Sequence, residues 1–375
     1  MIKKMNRIAA VCTAAVLAAS ALAGCGASGA GASSAAASTA AETSAEAEDE
    51  KKLSVVTTIF PEYDWVKEIL GDRAADVELT MLLDNGVDLH SYQPTAEDIM
   101  KIANCDLFVY VGGESDGWVA DALREATNKD MRVVNLLESL GEDVKEEELV
   151  EGMQEGEHHH DHAHEGEEAD HDHDHHHEHE GEEADHDHDH HHEHGEVEYD
   201  EHVWLSLKNA EALCAVIAEA LTQLDPEHAE SYRSNLESYT EKLEALDQEY
   251  RAAVNGASAK TLVFGDRFPF RYLVDDYGLD YYAAFVGCSA ETEASFETIT
   301  FLSQKVDELG LKNVMTIEGP EHKIAETIVK NTQAGDQEIL TLDSMQATKA
   351  EDVAAGTTYL SVMTKNLEVL KQALQ

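Results

Sequence analysis

Residues 53–70 read LSVVTTIFPEYDWVKEIL and join a strand pattern to a helix pattern. The first eight residues are mostly β-branched and apolar, as in a buried parallel strand, and apolar residues from Trp65 to Leu70 follow at helical spacing. The alternation continues, with strands predicted at 77–83, 107–111 and 132–136 and helices at 95–103 and 116–126. This order of elements predicts an α/β lobe around a parallel sheet.

A second alternation follows later in the chain. It predicts strands at 261–264, 281–285, 314–317 and 339–342, and helices at 270–277, 295–310, 322–332 and 358–374. Between the two series, Asp225 and Pro226 open a helical pattern that runs to about Ala253, before Asn255 and Gly256 end it. At 1.5 Å per residue this helix is about 40 Å long, so it either spans both lobes as a rigid backbone or is one more surface helix.

We therefore predict an α/β protein of two parallel-sheet lobes joined by one long helix. The predicted divisions are a signal peptide (1–24), a flexible tether (25–51), an N-terminal lobe (52–205) with a disordered loop at 146–198, a helical linker (206–256) and a C-terminal lobe (257–375).

The charge of the chain selects the class of partner. The 375 residues carry 77 acids and 26 Lys or Arg, a formal net charge of −51. No basic surface is available to neutralise phosphates, which argues against a nucleic-acid binder. Cations are the expected ligands.

The N-terminus has the pattern of an export signal. Lys3, Lys4 and Arg7 precede an apolar run at 8–22, and Leu-Ala-Gly then leads into Cys25 as in a bacterial lipobox. We expect lipidation of Cys25 and an extracytoplasmic protein anchored to the cell membrane; the alternative is a plain signal peptide with an incidental cysteine. Residues 26–50 are small, polar or acidic, which is typical of a tether.

Few cysteines remain after Cys12 and Cys25 are assigned to the signal and the anchor. The other three, Cys105, Cys214 and Cys288, are too few for a disulfide-stapled fold. Cys105 lies in an apolar segment and is predicted to be a buried thiol. A bridge between Cys214 and Cys288 stays open.

An acidic, histidine-rich tract divides the chain. The sequence EGEEADHDHDHHHEH occurs twice in tandem, at 165–179 and 180–194, without an apolar face to bury. Neutral imidazoles beside carboxylates bind borderline metals such as Zn²⁺, so we expect a flexible, low-affinity metal binder whose loading weakens as the pH falls; the alternative is a merely solvating loop. The tract histidines are His158, His159, His160, His162, His164, His171, His173, His175, His176, His177, His179, His186, His188, His190, His191, His192 and His194.

Two histidines outside the tract lie in motifs. His90 is in GVDLHSYQPTAEDI (86–99) and His202 is in DEHVWLSLKNA (200–210). These stretches resemble the two histidine motifs of the zinc and manganese substrate-binding lipoproteins of ABC transporters, although Leu89 and Glu201 replace the usual prolines. The opening VVTTIFPEYDWVKEILGD, the long helix and LTLDSM are similar too, so the resemblance covers residues 52–375. The zinc branch of that family often carries a His-rich insertion at the same place.

The resemblance implies two lobes bridged by a rigid helix, with the metal in the cleft between them. By position it makes His90 and His202 metal ligands and Asp343 the carboxylate ligand of the C-terminal lobe. Where zinc-binding members have a third histidine, residues 264–272 read FGDRFPFRY. Asp266 is the first choice to fill that place, and it would soften the preference for Zn²⁺ over Mn²⁺.

Other interpretations of these acids stay open. Glu291 and Glu293 are second choices for the third ligand, and a water or a tract histidine is the third. Asp266 could instead pair with Arg267 or Arg271. Glu318 is predicted either to accept a hydrogen bond that orients a ligand histidine or to cap the next helix. The remaining histidines, His228 and His322, are predicted to lie on the surface.

The leading hypothesis is a monomeric, lipid-anchored receptor that captures Zn²⁺, with Mn²⁺ as the alternative, and delivers it to a permease driven by an ATPase. No G-x-S-x-G or H-E-x-x-H motif is present, so we do not expect an enzyme. The alternatives are a surface metal store or adhesin that uses the tract alone, and a secreted zinc hydrolase.

Overall fold

The computed structural model describes residues 52–154, 198–289 and 293–375. The predicted signal, the tether, Cys25, the histidine tract and Glu291 lie outside the described residues. Within the described ranges, no helix combines the length and the apolar character that crossing a bilayer requires. Residues from Lys51 to Gln375 form one compact unit.

The N-terminal lobe contains a four-stranded parallel sheet. Its strands are β1 (Ser54–Thr57), β2 (Glu78–Met81), β3 (Leu107–Tyr110) and β4 (Arg132–Asn135), in the order β2-β1-β3-β4. Its helices are α1 (Phe60–Leu70), α2 (Ala96–Asn104), α3 (Val119–Arg124) and α4 (Leu136–Leu140). The predicted alternation of strands and helices is confirmed here. The central strands β1 and β3 are mostly buried, whereas the edge strands β2 and β4 carry polar and exposed residues.

The C-terminal lobe repeats this plan. Its strands are β5 (Thr261–Phe268), β6 (Asp280–Val286), β7 (Asn313–Ile317) and β8 (Glu338–Leu342), in the order β6-β5-β7-β8, all parallel. Its helices are α7 (Arg271–Tyr277), α8 (Phe296–Leu309), α9 (Lys323–Asn331), α10 (Ala350–Ala354) and α11 (Tyr359–Ala373).

Strand β5 is four residues longer than its pattern predicts. After an irregularity between Phe264 and Arg267, it resumes pairing with β6, and Phe268 lies opposite Val286. Asp266, which we expected in a loop, therefore lies within a strand. Apolar alternation did not reveal this extension, because a polar stretch interrupts it.

Two helices join the lobes, α5 (Leu207–Leu224) and α6 (Ala229–Gly256). Helix α6 has 28 residues, or about 42 Å, and follows a short 3₁₀ turn at Pro226–His228. The Asn235 amide donates to the Ile69 carbonyl of α1, and the Tyr250 hydroxyl donates to the Met363 carbonyl of α11. Helix α6 thus contacts both lobes, which confirms the predicted backbone helix.

The expected N-cap of this helix bonds differently from our prediction. Asp225 makes no cap hydrogen bond to the backbone. Its carboxylate instead accepts from the His228 ring and from the Tyr232 hydroxyl.

Buried contacts tie the C-terminal helix α11 to the N-terminal lobe. Tyr359 lies edge-on to Trp65, with 5.3 Å between ring centroids, and its backbone N–H donates to Asp64. Its hydroxyl donates to the Trp204 carbonyl, and the Trp204 indole donates to the Ser344 carbonyl. The two sheets are therefore held by one continuous apolar core.

Residues 144–154, here called the crossing segment, lead from the N-terminal lobe to the C-terminal lobe. Glu146 forms an antiparallel bridge with Tyr199. The Lys145 N–H donates to the Tyr272 hydroxyl, and the Gln154 N–H donates to the Ala284 carbonyl of β6. Residues 146–154, which we assigned to a disordered loop, are therefore not part of one.

No disulfide joins the cysteines that the structure describes. Cys105 is a buried thiol, as predicted. Cys214 is buried in α5, and Cys288 follows β6; both are thiols, so the bridge that the sequence left open does not form.

Candidate metal centre

His90 lies in the loop that follows β2. It is the middle residue of a 3₁₀ turn at Leu89–Ser91, and the Asp88 carboxylate accepts its backbone N–H at 3.0 Å. The buried Leu89 side chain anchors the turn in the core. This combination of a cap and an apolar anchor fixes the direction of the imidazole.

His202 precedes a 3₁₀ turn at Val203–Leu205, at the start of the path into α5. The His202 side chain is fully buried, and its ring lies 5.2 Å from the Trp204 ring. Gly287 allows this packing, because a Cβ at that position would lie 2.9 Å from Cε1 of His202.

The structure brings the two imidazoles together. The Nε2 atoms of His90 and His202 are 3.1 Å apart, and the ring centroids are 5.1 Å apart. Two nitrogen ligands of a tetrahedral Zn²⁺ ion, each about 2.0–2.1 Å from it, lie about 3.3 Å from each other. The observed spacing is close to this value.

The opposite nitrogen of each ring faces an oxygen atom. Nδ1 of His202 lies 2.9 Å from the Asp200 carboxylate, and Nδ1 of His90 lies 2.7 Å from the Ser115 hydroxyl. Burial and the neighbouring His202 ring lower the pKa of His90 to about 3, so this ring is neutral at pH 7. With protons on Nδ1, both lone pairs are on Nε2 and face each other. Such an arrangement is stable when a cation lies between the two nitrogens.

Cys288 is a third potential ligand, and the sequence analysis did not assign it to the site. Among the residues that the structure describes, His90, His202 and Cys288 are the one group of three His, Cys, Asp or Glu residues whose ligand atoms all lie within 4.8 Å of one another. Burial and the nearby Asp200 carboxylate raise the pKa of the Cys288 thiol well above its usual range. A signal was present, because Cys288 follows a predicted parallel strand directly, where functional side chains collect.

The C-terminal lobe also brings Gln346, which the sequence did not single out, beside the histidines. The side-chain amide of Gln346 lies 3.2 Å from Nε2 of His90 and 3.2 Å from Nε2 of His202. Asp343 lies three residues earlier, and its carboxylate accepts the Met345 N–H at 2.8 Å. Burial raises the pKa of Asp343. Asp343 is not in the three-residue group.

Glu318 acts on the same loop. Its carboxylate accepts from the Ser344 N–H and hydroxyl, each at 2.6 Å, and from the Gln346 N–H at 3.2 Å. Glu318 therefore orients the loop at 343–346, and it makes no hydrogen bond to any histidine that the structure describes. Burial and the neighbouring Asp343 raise its pKa. Met345 has φ of 65°, a left-handed conformation that is unusual for a residue with a side chain.

Asp266 lies in β5 and makes other contacts. Its carboxylate accepts from the Thr316 hydroxyl at 2.7 Å, and that hydroxyl is 3.0 Å from the His322 ring. The structure does not group Asp266 with His90 and His202. Gly265 takes the place of the expected third histidine, and a Cβ there would lie 2.5 Å from the Ala325 Cα of α9, so a larger residue would require the backbone to shift.

The other predicted partners are accounted for as follows. The Arg267 guanidinium pairs with Asp88, and the Arg271 guanidinium pairs with Glu148 and Asp275; of these two arginines, only the backbone N–H of Arg267 donates to Asp266, at 2.9 Å. Glu293 is exposed.

Carboxyl groups surround the imidazole pair. Burial raises the pKa of Glu201, and its Oε2 atom is buried without a hydrogen bond, 3.5 Å from Nδ1 of His90. Glu147 accepts the Cys288 N–H at 3.1 Å. Buried carboxyl groups are costly unless a cation or hydrogen bonds compensate them, so this environment favours a divalent cation.

Comparison with known proteins identifies the family of the chain. The model of the family "Zinc-uptake complex component A periplasmic" matches residues 55–373. The chain belongs to this family. The resemblance of the two histidine motifs to substrate-binding proteins is thereby confirmed.

Curated relatives carry related names. Zinc-binding protein AdcA of Streptococcus pyogenes serotype M3 is 33% identical over 326 residues, which are 86% of this chain and 56% of that protein. Zinc-binding lipoprotein AdcA of Streptococcus pneumoniae serotype 4 is 32% identical over 329 residues, 88% of this chain and 57% of that protein. The chain thus spans about half the length of these relatives.

A solved structure shows the same fold. The Zn(II)-bound ZnuA-like domain of Streptococcus pneumoniae AdcA is 27% identical, with a TM-score of 0.61, over 86% of this chain and 99% of that domain.

Proposed function

We propose that this protein is the extracytoplasmic receptor of an ABC importer, that it captures Zn²⁺ at the His90–His202 pair, and that it delivers the ion to a membrane permease driven by an ATPase. The observation that carries the proposal is the approach of two Nε2 atoms to 3.1 Å inside a carboxyl-rich, buried environment. Zn²⁺ fits these donors, because it binds neutral imidazole nitrogen at the N–N spacing observed here.

Membership of a zinc-uptake family and the zinc-binding names of the relatives support the choice of ion. The name of the lipoprotein relative supports anchoring through Cys25, since the lipobox pattern predicts the same attachment. The protein performs no bond chemistry in this proposal. It acts as a binding receptor rather than an enzyme.

The histidine tract has a separate role in the proposal. Its 17 imidazoles bind zinc weakly and raise the local concentration of the ion near the crossing segment, whose last described residue, Gln154, hydrogen-bonds β6. The competing hypothesis, a metal store or adhesin that uses the tract alone, assigns all zinc binding to the tract.

Zinc titration separates the two hypotheses. We expect a chain that lacks residues 157–195 to retain one tightly bound Zn²⁺, and we expect His90→Ala and His202→Ala in that background to lose it. His228→Ala is the matched control, since His228 also hydrogen-bonds a carboxylate but lies away from the pair. Loss of all tight binding on deletion of the tract would favour the store and refute the receptor.

A further inference from the structure

We propose that the Cys288 thiolate is the third protein ligand of the zinc ion, in place of the histidine that this chain lacks. The inference rests on the proposed function, because it assigns a ligand to the same site. Its geometric basis is that one ligand atom from each of Cys288, His90 and His202 lies within 4.8 Å of the others. With Zn–N near 2.0–2.1 Å and Zn–S near 2.3 Å, a tetrahedral site needs separations of about 3.3–3.6 Å. The observed upper limit of 4.8 Å places the sulfur near the separation that such a site needs.

Neighbouring contacts fix the position of the Cys288 backbone. Its N–H donates to Glu147 of the crossing segment at 3.1 Å. Gly287 lies against the His202 ring and against the Phe268 carbonyl, each 2.9 Å from where a Cβ would stand. The absence of a side chain at 287 thus lets the cysteine loop approach the imidazole closely.

The residues at and beside the place of the expected third histidine make other contacts. Asp266 hydrogen-bonds Thr316 within the sheet. A Cβ on Gly265, the position of the expected histidine, would lie 2.5 Å from the Ala325 Cα of α9, so a side chain there would require the backbone to shift. The position of the third histidine in β5 therefore provides no ligand, whereas the loop after β6 provides the sulfur atom of Cys288.

Glu201 supplies an independent indication of a cation at this place. Its side chain is 2% exposed, and its Oε2 atom has no hydrogen-bond partner beside His90. A Zn²⁺ ion bound to two neutral imidazoles and one thiolate has a net charge of +1, which the neighbouring carboxylate compensates. Coordination replaces the S–H bond by a Zn–S bond, and the proton leaves to solvent.

A thiolate ligand changes the expected metal preference. Soft sulfur favours Zn²⁺, whereas Mn²⁺ prefers oxygen ligands. A site with Cys288 as a ligand should therefore discriminate against Mn²⁺ more strongly than a site with Asp266 as a ligand, because a carboxylate ligand softens the preference for Zn²⁺.

X-ray absorption of the full chain with one equivalent of Zn²⁺ tests the proposal. We expect a sulfur scatterer at about 2.3 Å from zinc. With Co²⁺ as a probe, we expect a sulfur-to-metal charge-transfer band in the near ultraviolet. The tract contains no cysteine, so zinc held there contributes no sulfur signal.

Cys288→Ser should abolish both sulfur signals, raise the Kd for Zn²⁺ about tenfold or more, and narrow the gap between Zn²⁺ and Mn²⁺. Cys214→Ala, a control that removes another buried thiol, should change none of these values. One tightly bound zinc that depends on His90 but shows only nitrogen and oxygen neighbours would overturn the assignment of Cys288 and leave the receptor intact. If the wild-type chain holds no zinc tightly, the receptor itself is refuted, and Cys288 with it.

Discussion

Replacing Asp200 by asparagine tests whether a carboxylate holds His202 in its metal-binding form. Oδ1 of Asp200 accepts both the backbone N–H of His202, at 2.8 Å, and its ring Nδ1, at 2.9 Å. The carboxylate thus keeps the ring proton on Nδ1 and the lone pair on Nε2. Asparagine has nearly the same shape, but it is uncharged, and its NH₂ group stabilises the opposite tautomer when it faces Nδ1.

Losing such a partner of a ligating histidine lowers metal affinity about 10–100-fold, which corresponds to about 1.4–2.7 kcal/mol. We expect Asp200→Asn to raise the Kd for Zn²⁺ by this factor in a competition titration of the full chain with a chromophoric chelator at pH 7. Thermal unfolding of the metal-free variant checks that the fold is intact.

The chain offers a matched control. Asp225 faces Nδ1 of His228 at 2.8 Å in a similar pair, remote from the site, so Asp225→Asn should leave zinc affinity unchanged. A folded Asp200→Asn protein that binds zinc as tightly as the wild type would refute the role of the carboxylate.

Three further predictions concern stability and packing. Burial raises the pKa of Asp64 from 3.8 to about 6, so ionisation of this carboxyl group lowers the free energy of unfolding as the pH rises from about 4 to 6. Asp64→Asn should therefore be more stable than the wild type by up to about 3 kcal/mol at pH 7, and equally stable below pH 4. Urea unfolding at both pH values measures this, and an equal loss of stability at each would show that the Tyr359 contact dominates instead. Gly287→Ala should weaken zinc binding, because its methyl group would stand 2.9 Å from both the His202 ring and the unyielding Phe268 carbonyl; calorimetric titration with unchanged affinity would contradict this. Removing zinc with a chelator should lower the unfolding temperature, since a ligand at a thousand times its Kd stabilises the fold by about 4 kcal/mol. Calorimetric scans with and without zinc measure this change, and equal unfolding temperatures would contradict the prediction.

Local patterns in the chain predicted most of the architecture. The β-branched strand at the start of the folded part, the helical spacing after it and the repeat of both identified two parallel α/β lobes, because apolar periodicity reports which faces an element buries. The helix that begins at Ala229 was also predictable from its apolar periodicity and from Pro226 near its start, although Asp225 does not cap it and Asn255 and Gly256 are its last residues. Strand β5 was underestimated, because its last residues depend on pairing with β6 rather than on their own apolar pattern.

The sequence alone singled out His90 and His202, since each lies in a motif whose neighbours constrain it, and it also predicted the lipid anchor, the metal-binding tract and the preference for cations. Only the tertiary structure decided which side chains meet. In the structure, Asp266 lies in strand β5 and accepts from Thr316, whereas Gln346 and Cys288 lie next to the two imidazoles. The physical reason is that the register between strands distant in sequence sets which residues converge at one edge of a sheet. If a strand ends a few residues earlier or later, a different set of side chains lies at that edge.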